Sequence, residues 1–319
     1  MKEFINTGNK DTRSGFGAGL LEAGRQDERV VALTADLKGS VKMDAFAAEF
    51  PERFVQCGIA ESNMIGVAAG LAITGKIPFA GSFAEFITGR VYDQLRQEVA
   101  YGHTNVKIAS SHAGITLGED GATHQTMEDI ALMRALPGMC VIVPCDYNQT
   151  KNATIAAAKY EGPVYLRFGR PSVPNFTPED EPFEIGKTYI LNEGVDVSII
   201  ACGHLVWEAL EAARILEEKY NVRAEVLNVA TIKPLDEKTL AESLEKTGCA
   251  VIAEEHNLAG GLSEAVAGWA ARHKPCPMEF VCGEDRFGQS GTPAELLKAY
   301  GLDAENIANK ALEAIGRKK

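Results

Sequence analysis

The chain has 319 residues, 45% of them hydrophobic, enough for roughly two domains with sizeable cores. Its net charge is −12 and it has no Lys/Arg-rich run, which excludes nucleic acid and anionic membranes as expected partners. Seven cysteines without a CxxC pair, an N-terminus lacking the apolar core of a signal peptide, and no apolar run near the length of a membrane span predict a cytoplasmic protein.

In chain order, residues 12–25 read as a helix, with Thr12 as its cap and Phe16, Leu20 and Leu21 as its apolar stripe. Gly15, Gly17 and Gly19 alternate as in a dinucleotide fingerprint. No strand precedes them and the spacing is wrong, so helix packing is their expected role. Val30–Thr34 is a strand and Ala35–Ser40 a loop; Phe54–Cys57 is a second strand. In Gly58–Gly75 a small-residue helix follows Glu61, and its Ala and Gly predict close packing, another subunit included. Pro78–Ala80 is a strand, Ser82–Ile87 a loop entering a long helix to about Tyr101, and Val106–Ser111 a strand. Helices at Met127–Leu136 and Asn148–Tyr160 alternate with strands at Val141–Val143 and Val164–Arg167. Pro171–Pro182 holds four prolines and reads as a linker.

The alternation then repeats. Strands at Val195–Ala201, Ala224–Asn228, Ala250–Glu254 and Met278–Val281 flank helices at Leu205–Tyr220, Asp236–Glu245 and Leu262–Arg272. Two terminal helices run from Thr292 and Asp303, with Asp236 and Thr292 as expected N-caps. The pattern predicts an α/β fold of two doubly wound domains, 1–182 and 183–319, each a mostly parallel sheet with helices on both faces.

One stretch is too rich in chemistry for a mere connection. Ser110–Gln125, SSHAGITLGEDGATHQ, places His112, Glu119, Asp120 and His124 among three glycines. It follows a strand and precedes a helix, the edge of a parallel sheet where ligands bind.

GEDGATHQ, with His112 ahead of it, resembles the pyrimidine-binding domain of transketolase. The family's order continues in Thr12-Arg13, Ala35-Asp36-Leu37 with Ser40, Gly58-Ile59-Ala60-Glu61, Ser82-Phe83 with Phe86, and Gly169-Arg170. The second half resembles the transketolase C-terminal domain. The GDG motif and downstream Asn that hold Mg²⁺ in the family are missing. The chain therefore resembles the C-terminal subunit of a split transketolase, inactive without an N-terminal partner subunit.

The resemblance implies a site for thiamine diphosphate shared with that partner, which would hold the Mg²⁺. It makes Glu61 the carboxyl group that activates the cofactor through its pyrimidine ring; read from local sequence alone, Glu61 is a first-turn acid favoured by the helix dipole. Phe83 and Phe86 would pack the aminopyrimidine, Phe86 by stacking, with Ile59 and Asp36 as further cofactor contacts. His124 would shuttle protons and Asp120 would read a substrate hydroxyl; each is otherwise a loop-stabilising polar group. Arg13, Ser40, His112 and Arg170 would hold the sugar phosphate, a task that suits the planar guanidinium fork. Two departures stand out: Gly89 replaces an aromatic residue of the pocket wall, for which Arg90 or Tyr92 could partly substitute, and Ala122 replaces a proline.

Outside these motifs, His103 and His273 read as surface residues, and His204 and His256 as the starts of loops in the second half. No Cys/His cluster has metal-ligand spacing. The expected activity is transfer of a two-carbon ketol group between sugar phosphates by an α2β2 assembly. The alternatives are a 1-deoxyxylulose-5-phosphate-synthase-like or specialised sugar transketolase, favoured in the first case by Tyr92-Asp93-Gln94, and a non-catalytic regulatory half. A 2-oxoacid dehydrogenase β subunit fits less well, because it lacks the GED…THQ pairing.

Overall fold

A computed structural model of the protein describes residues 4–318. Its strands are β1 (Lys10–Asp11), β2 (Val30–Thr34), β3 (Phe54–Gln56), β4 (Ile77–Phe83), β5 (Lys107–Ser111), β6 (Cys140–Ile142), β7 (Val164–Arg167), β8 (Ser172–Val173), β9 (Tyr189–Asn192), β10 (Val197–Ala201), β11 (Ala224–Asn228), β12 (Thr231–Lys233), β13 (Ala250–Asn257) and β14 (Met278–Gly283). Every residue of β2, β4, β5 and β10 is buried, as strands covered on both faces require.

They build two main sheets. The first runs β12-β6-β7-β5-β4-β2-β3, and its only antiparallel pair is β12 with β6. The second runs β14-β13-β10-β11-β9, with β9 antiparallel to β11. Strand β12 comes from the second half of the sequence yet completes the edge of the first sheet, and the sequence pattern did not mark it. In the first sheet the chain leaves β2 toward β3 on one side and β4 toward β5 on the other. Such a reversal opens a crevice beyond the carboxyl ends of β2 and β4.

The helix Thr12–Gln26 is capped by Asp11, whose carboxylate accepts from the Ser14 N–H at 3.0 Å. Thr12 is therefore not the cap. Its buried hydroxyl accepts from the Gly169 N–H at 3.0 Å and ties the helix to the end of β7. The glycines of this helix do serve packing: a Cβ on Gly15 or Gly19 would lie 2.3 or 2.5 Å from a carbonyl oxygen of the helix Tyr147–Lys159.

The segment expected as a loop at Ser82–Ile87 is ordered. Strand β4 extends through Phe83, and Ala84–Ile87 forms a helical turn. The long helix is interrupted at Thr88, whose hydroxyl turns back to the Ala84 carbonyl at 2.6 Å. Helical structure resumes at Tyr92–Gln94 and widens into a π-helical run at Leu95–Tyr101. In the second half, Asp236 and Thr292 cap their helices as expected, Thr292 within a full capping box. No helix among the described residues is long and apolar enough to cross a membrane.

Where the halves meet, Asp129 is fully buried and saturated. Arg167 donates to it from Nε at 2.7 Å and Nη2 at 3.2 Å, and Tyr165 donates at 2.6 Å. His204 lies in the turn between β10 and the helix Leu205–Tyr220, as expected, whereas His256 lies within β13 rather than at the start of a loop. His204 sits half-buried beside Thr12 and Glu255, and desolvation pushes its pKa down to about 4. His256 is fully buried in β13 and contacts the Asn257 carbonyl and the Ala131 N–H. His103 and His273 are exposed.

Candidate functional site

The loops leaving β2, β4, β5 and β7 converge beyond the crevice, and most of the expected site residues lie on them. Glu61 is the first residue of the helix Glu61–Ile73 and is 4% exposed. Among the described residues its carboxylate has one hydrogen-bonding partner: Arg90 Nη1 donates to both oxygens at 3.2 Å. The Arg90 side chain is 50% exposed, so Glu61 is a buried acid whose counter-charge sits at the surface. The same guanidinium lies 4.2 Å above the Phe86 ring, a cation–π contact next to Gly89 in the chain.

Phe83, at the end of β4, stacks on Phe86 at 5.7 Å and on His112 at 3.8 Å between centroids. His124 meets Phe86 edge-on at 5.3 Å. The two histidines of the GED loop thus approach the same aromatic pair from different sides. His112 has a left-handed backbone, φ 59°, uncommon for a residue with a side chain. It is buried, with Nδ1 2.8 Å from Ser111 Oγ and Nε2 3.4 Å from Arg13 Nη1. Facing a guanidinium, Nε2 must accept, so the ring proton belongs on Nδ1. Burial, then the positive charges of Arg13, Arg170, His124 and Lys42, push the His112 pKa down to about 3.

Arg13 also donates to the Ser40 carbonyl at 3.3 Å and to Asp11 at 3.2 Å. Arg170 reaches the same field from after β7, donating to the Leu117 carbonyl at 2.8 Å and pairing with Glu119 at 3.1 Å. Contacts therefore link Glu61, Arg90, Phe86, Phe83, His112, Arg13 and Ser40 in one chain, with His124 on Phe86. Asp36, Ile59 and Asp120 are not packed into it. All three stand exposed on the rim, Ile59 at 79%, and Asp36 holds a left-handed backbone with its N–H on Gln56.

Two residues escaped sequence reasoning. Lys42 adds a cation whose charge reaches His112; its left-handed backbone, φ 61°, leaves no mark in the sequence. Glu255 touches the GED loop from the second half and is discussed below. Among the described residues, no group of three His, Cys, Asp or Glu could hold a metal ion.

The sheet edge thus presents a buried acid, stacked aromatic rings and an imidazole among guanidinium groups. Residues 9–175 match the family model of the transketolase pyrimidine binding domain, and residues 186–307 that of the transketolase C-terminal domain. The chain belongs to the transketolase family. It is 49% identical over 307 residues to a protein of Methanocaldococcus jannaschii described as a transketolase C-terminal section, covering 95% of this chain and 96% of the relative. It is 43% identical over 299 residues to a 6-deoxy-6-sulfo-D-fructose transketolase subunit of a Clostridium species, covering 94% and 92%. A solved split-gene transketolase, described as an inactive β4 tetramer, superposes with a TM-score of 0.91 at 45% identity over 97% of this chain and 99% of that one. The pyrimidine-binding domain implies thiamine diphosphate as cofactor.

Proposed function

We propose that this chain is the C-terminal subunit of a split transketolase. With an N-terminal partner subunit carrying the GDG…N motif, it would transfer a two-carbon ketol group from a ketose phosphate to an aldose phosphate. The observation that carries the reading is the chain of contacts from Glu61 through Phe86 to His112 and Arg13. Its acid and aromatic end fits an aminopyrimidine, because Glu61 is buried with one surface partner and Phe86 turns a ring face toward that partner. Its cationic end fits a phosphate.

When bound, thiamine diphosphate supplies a carbon nucleophile and an electron sink, and the protein supplies orientation and electrostatics. Glu61 would hold a proton against the pyrimidine nitrogen, displacing Arg90 or sharing with it. Phe83 and Phe86 would pack the ring, with Ile59 and Asp36 closing its rim. His124, edge-on to Phe86, would move protons at the substrate hydroxyl and carbonyl, and Asp120 would accept from the neighbouring hydroxyl. Arg13, Ser40, His112 and Arg170 would seat the phosphate.

The exposed face of the helix Glu61–Ile73, with Ser62, Gly70 and Ile73, offers a close-packing surface for the partner, which would bring the Mg²⁺. Two such pairs would form an α2β2 assembly. A division of this chain at 182/183 and a cytoplasmic location complete the proposal; the seven free thiols support the latter.

A second reading, a specialised sugar transketolase, draws support from the relative described as a 6-deoxy-6-sulfo-D-fructose transketolase subunit. A donor panel on the reconstituted enzyme separates the readings. Xylulose 5-phosphate and hydroxypyruvate should serve as donors and pyruvate should not. Turnover of pyruvate would point to 1-deoxyxylulose-5-phosphate-synthase-like chemistry. Exclusive use of a sulfonated or branched sugar would establish the specialised reading.

A further inference from the structure

The GED loop is held in shape partly by the other half of the chain. Its backbone turns through three positive-φ glycines, Gly114, Gly118 and Gly121, besides His112, around one short 3-10 turn at Ile115–Leu117. Buried at the junction, Glu255 accepts the Thr116 N–H at 2.6 Å. It lies so close that a Cβ on Gly114 would come within 2.3 Å of its Oε1. Arg167 fixes this residue in turn by donating to its carbonyl at 2.9 Å. Further along the loop, Gln125 Nε2 donates at 3.0 Å to Ile115, Gly118 and the Gln289 carbonyl of the second half. A Cβ at Gly288 would run into the same amide, and Ser290 Oγ fills the space where Gly121 would carry a Cβ. At the loop's exit, the Asn257 N–H donates to the Met127 carbonyl at 2.7 Å.

We propose that the second half is the template of the substrate loop, with Glu255 and the turn 288–290 acting as positioning elements for Asp120 and His124. The anchors at Thr116 and Gln125 lie on either side of these two residues, so loss of either anchor frees the segment that carries them. This rests on the reading that Asp120 and His124 meet substrate. Glu61, Phe83 and Phe86 sit on other elements, so the cofactor's pyrimidine site should be indifferent to the anchors.

The test uses the chain reconstituted with its partner subunit. Glu255→Ala removes the acceptor for Thr116, and Glu255→Gln keeps an oxygen there. Gly288→Ala attacks the second anchor from a half-buried loop: its backbone is not left-handed, and the added Cβ would lie 1.8 Å from Gln125 Oε1. Glu255→Ala and Gly288→Ala should each lower kcat/KM by about ten- to a hundredfold, the scale of a misplaced catalytic group. Thiamine diphosphate affinity should stay unchanged and Glu255→Gln should remain near wild type. In an Asp120→Ala background both losses should shrink. Wild-type rates in folded Glu255→Ala and Gly288→Ala, losses that multiply fully with Asp120→Ala, or equally weakened cofactor binding would each overturn the proposal. If Glu255→Ala fails to fold, Gly288→Ala decides. Silent Asp120→Ala and His124→Ala variants would instead defeat the parent reading, and the inference with it.

Discussion

Two buried carboxylates open helices in the first half of this chain, and they have opposite surroundings. Asp129 opens Asp129–Ala135 and receives three hydrogen bonds from two buried side chains, Arg167 and Tyr165. Glu61 opens Glu61–Ile73 and receives its hydrogen bonds from one half-exposed arginine. The helix dipole favours both equally. Asp129 is satisfied by the fold, whereas Glu61 keeps oxygens that a ligand can claim by moving one surface side chain. Burial alone does not distinguish a structural acid from a functional one; the completeness and mobility of its partners do.

Substitutions sharpen that contrast. Glu61→Ala should lower turnover of the reconstituted enzyme by roughly a hundred- to ten-thousandfold, the range of a lost acid–base group, while its thermal midpoint stays close to wild type. A large drop in that midpoint would make Glu61 a structural residue like Asp129. Asp129→Ala should do the reverse, costing about 3–5 kcal/mol in denaturant titration because it strands buried Arg167. At the cationic end, His112→Ala and Arg170→Ala should raise KM for phosphorylated donors roughly tenfold or more, and leave unphosphorylated donors nearly untouched. Equal losses with both classes would break the phosphate assignment.

A further effect concerns acid stability. The folded-state pKa of His112 is about 3, below its ordinary 6.5, and that of His204 is about 4. Between those values the unfolded chain binds protons that the folded chain does not. Stability should therefore fall as pH drops below about 6.5, the loss building until each folded-state pKa is passed. His112→Gln should flatten that acid limb in urea midpoints.

Much of this was legible in the sequence, because alternating helix and strand periods need only local pattern. The caps at Asp236 and Thr292 were read correctly. At residues 11 and 12 two capping residues adjoin, and periodicity could not tell that Asp11 caps while Thr12 serves Gly169. Strand β12 is short and gains its identity from pairing with β6, which lies far away in sequence. Glu61, Phe83, Phe86, His112, Arg13 and Ser40 lie along one chain of contacts while Asp36, Ile59 and Asp120 stand exposed on the rim, and the Arg90 contact with Glu61 and the Glu255 contact with Thr116 depend on side-chain reach and domain placement. No local spacing encodes either.

The most direct test titrates this chain with a GDG…N-bearing partner subunit in the presence of thiamine diphosphate and Mg²⁺, with ketol transfer from xylulose 5-phosphate to an aldose phosphate as readout. Activity should be absent from either chain alone and should rise to a plateau at equal molar amounts. Turnover by this chain alone, or no activity at any ratio with a folded and bound partner, would contradict the split-transketolase account.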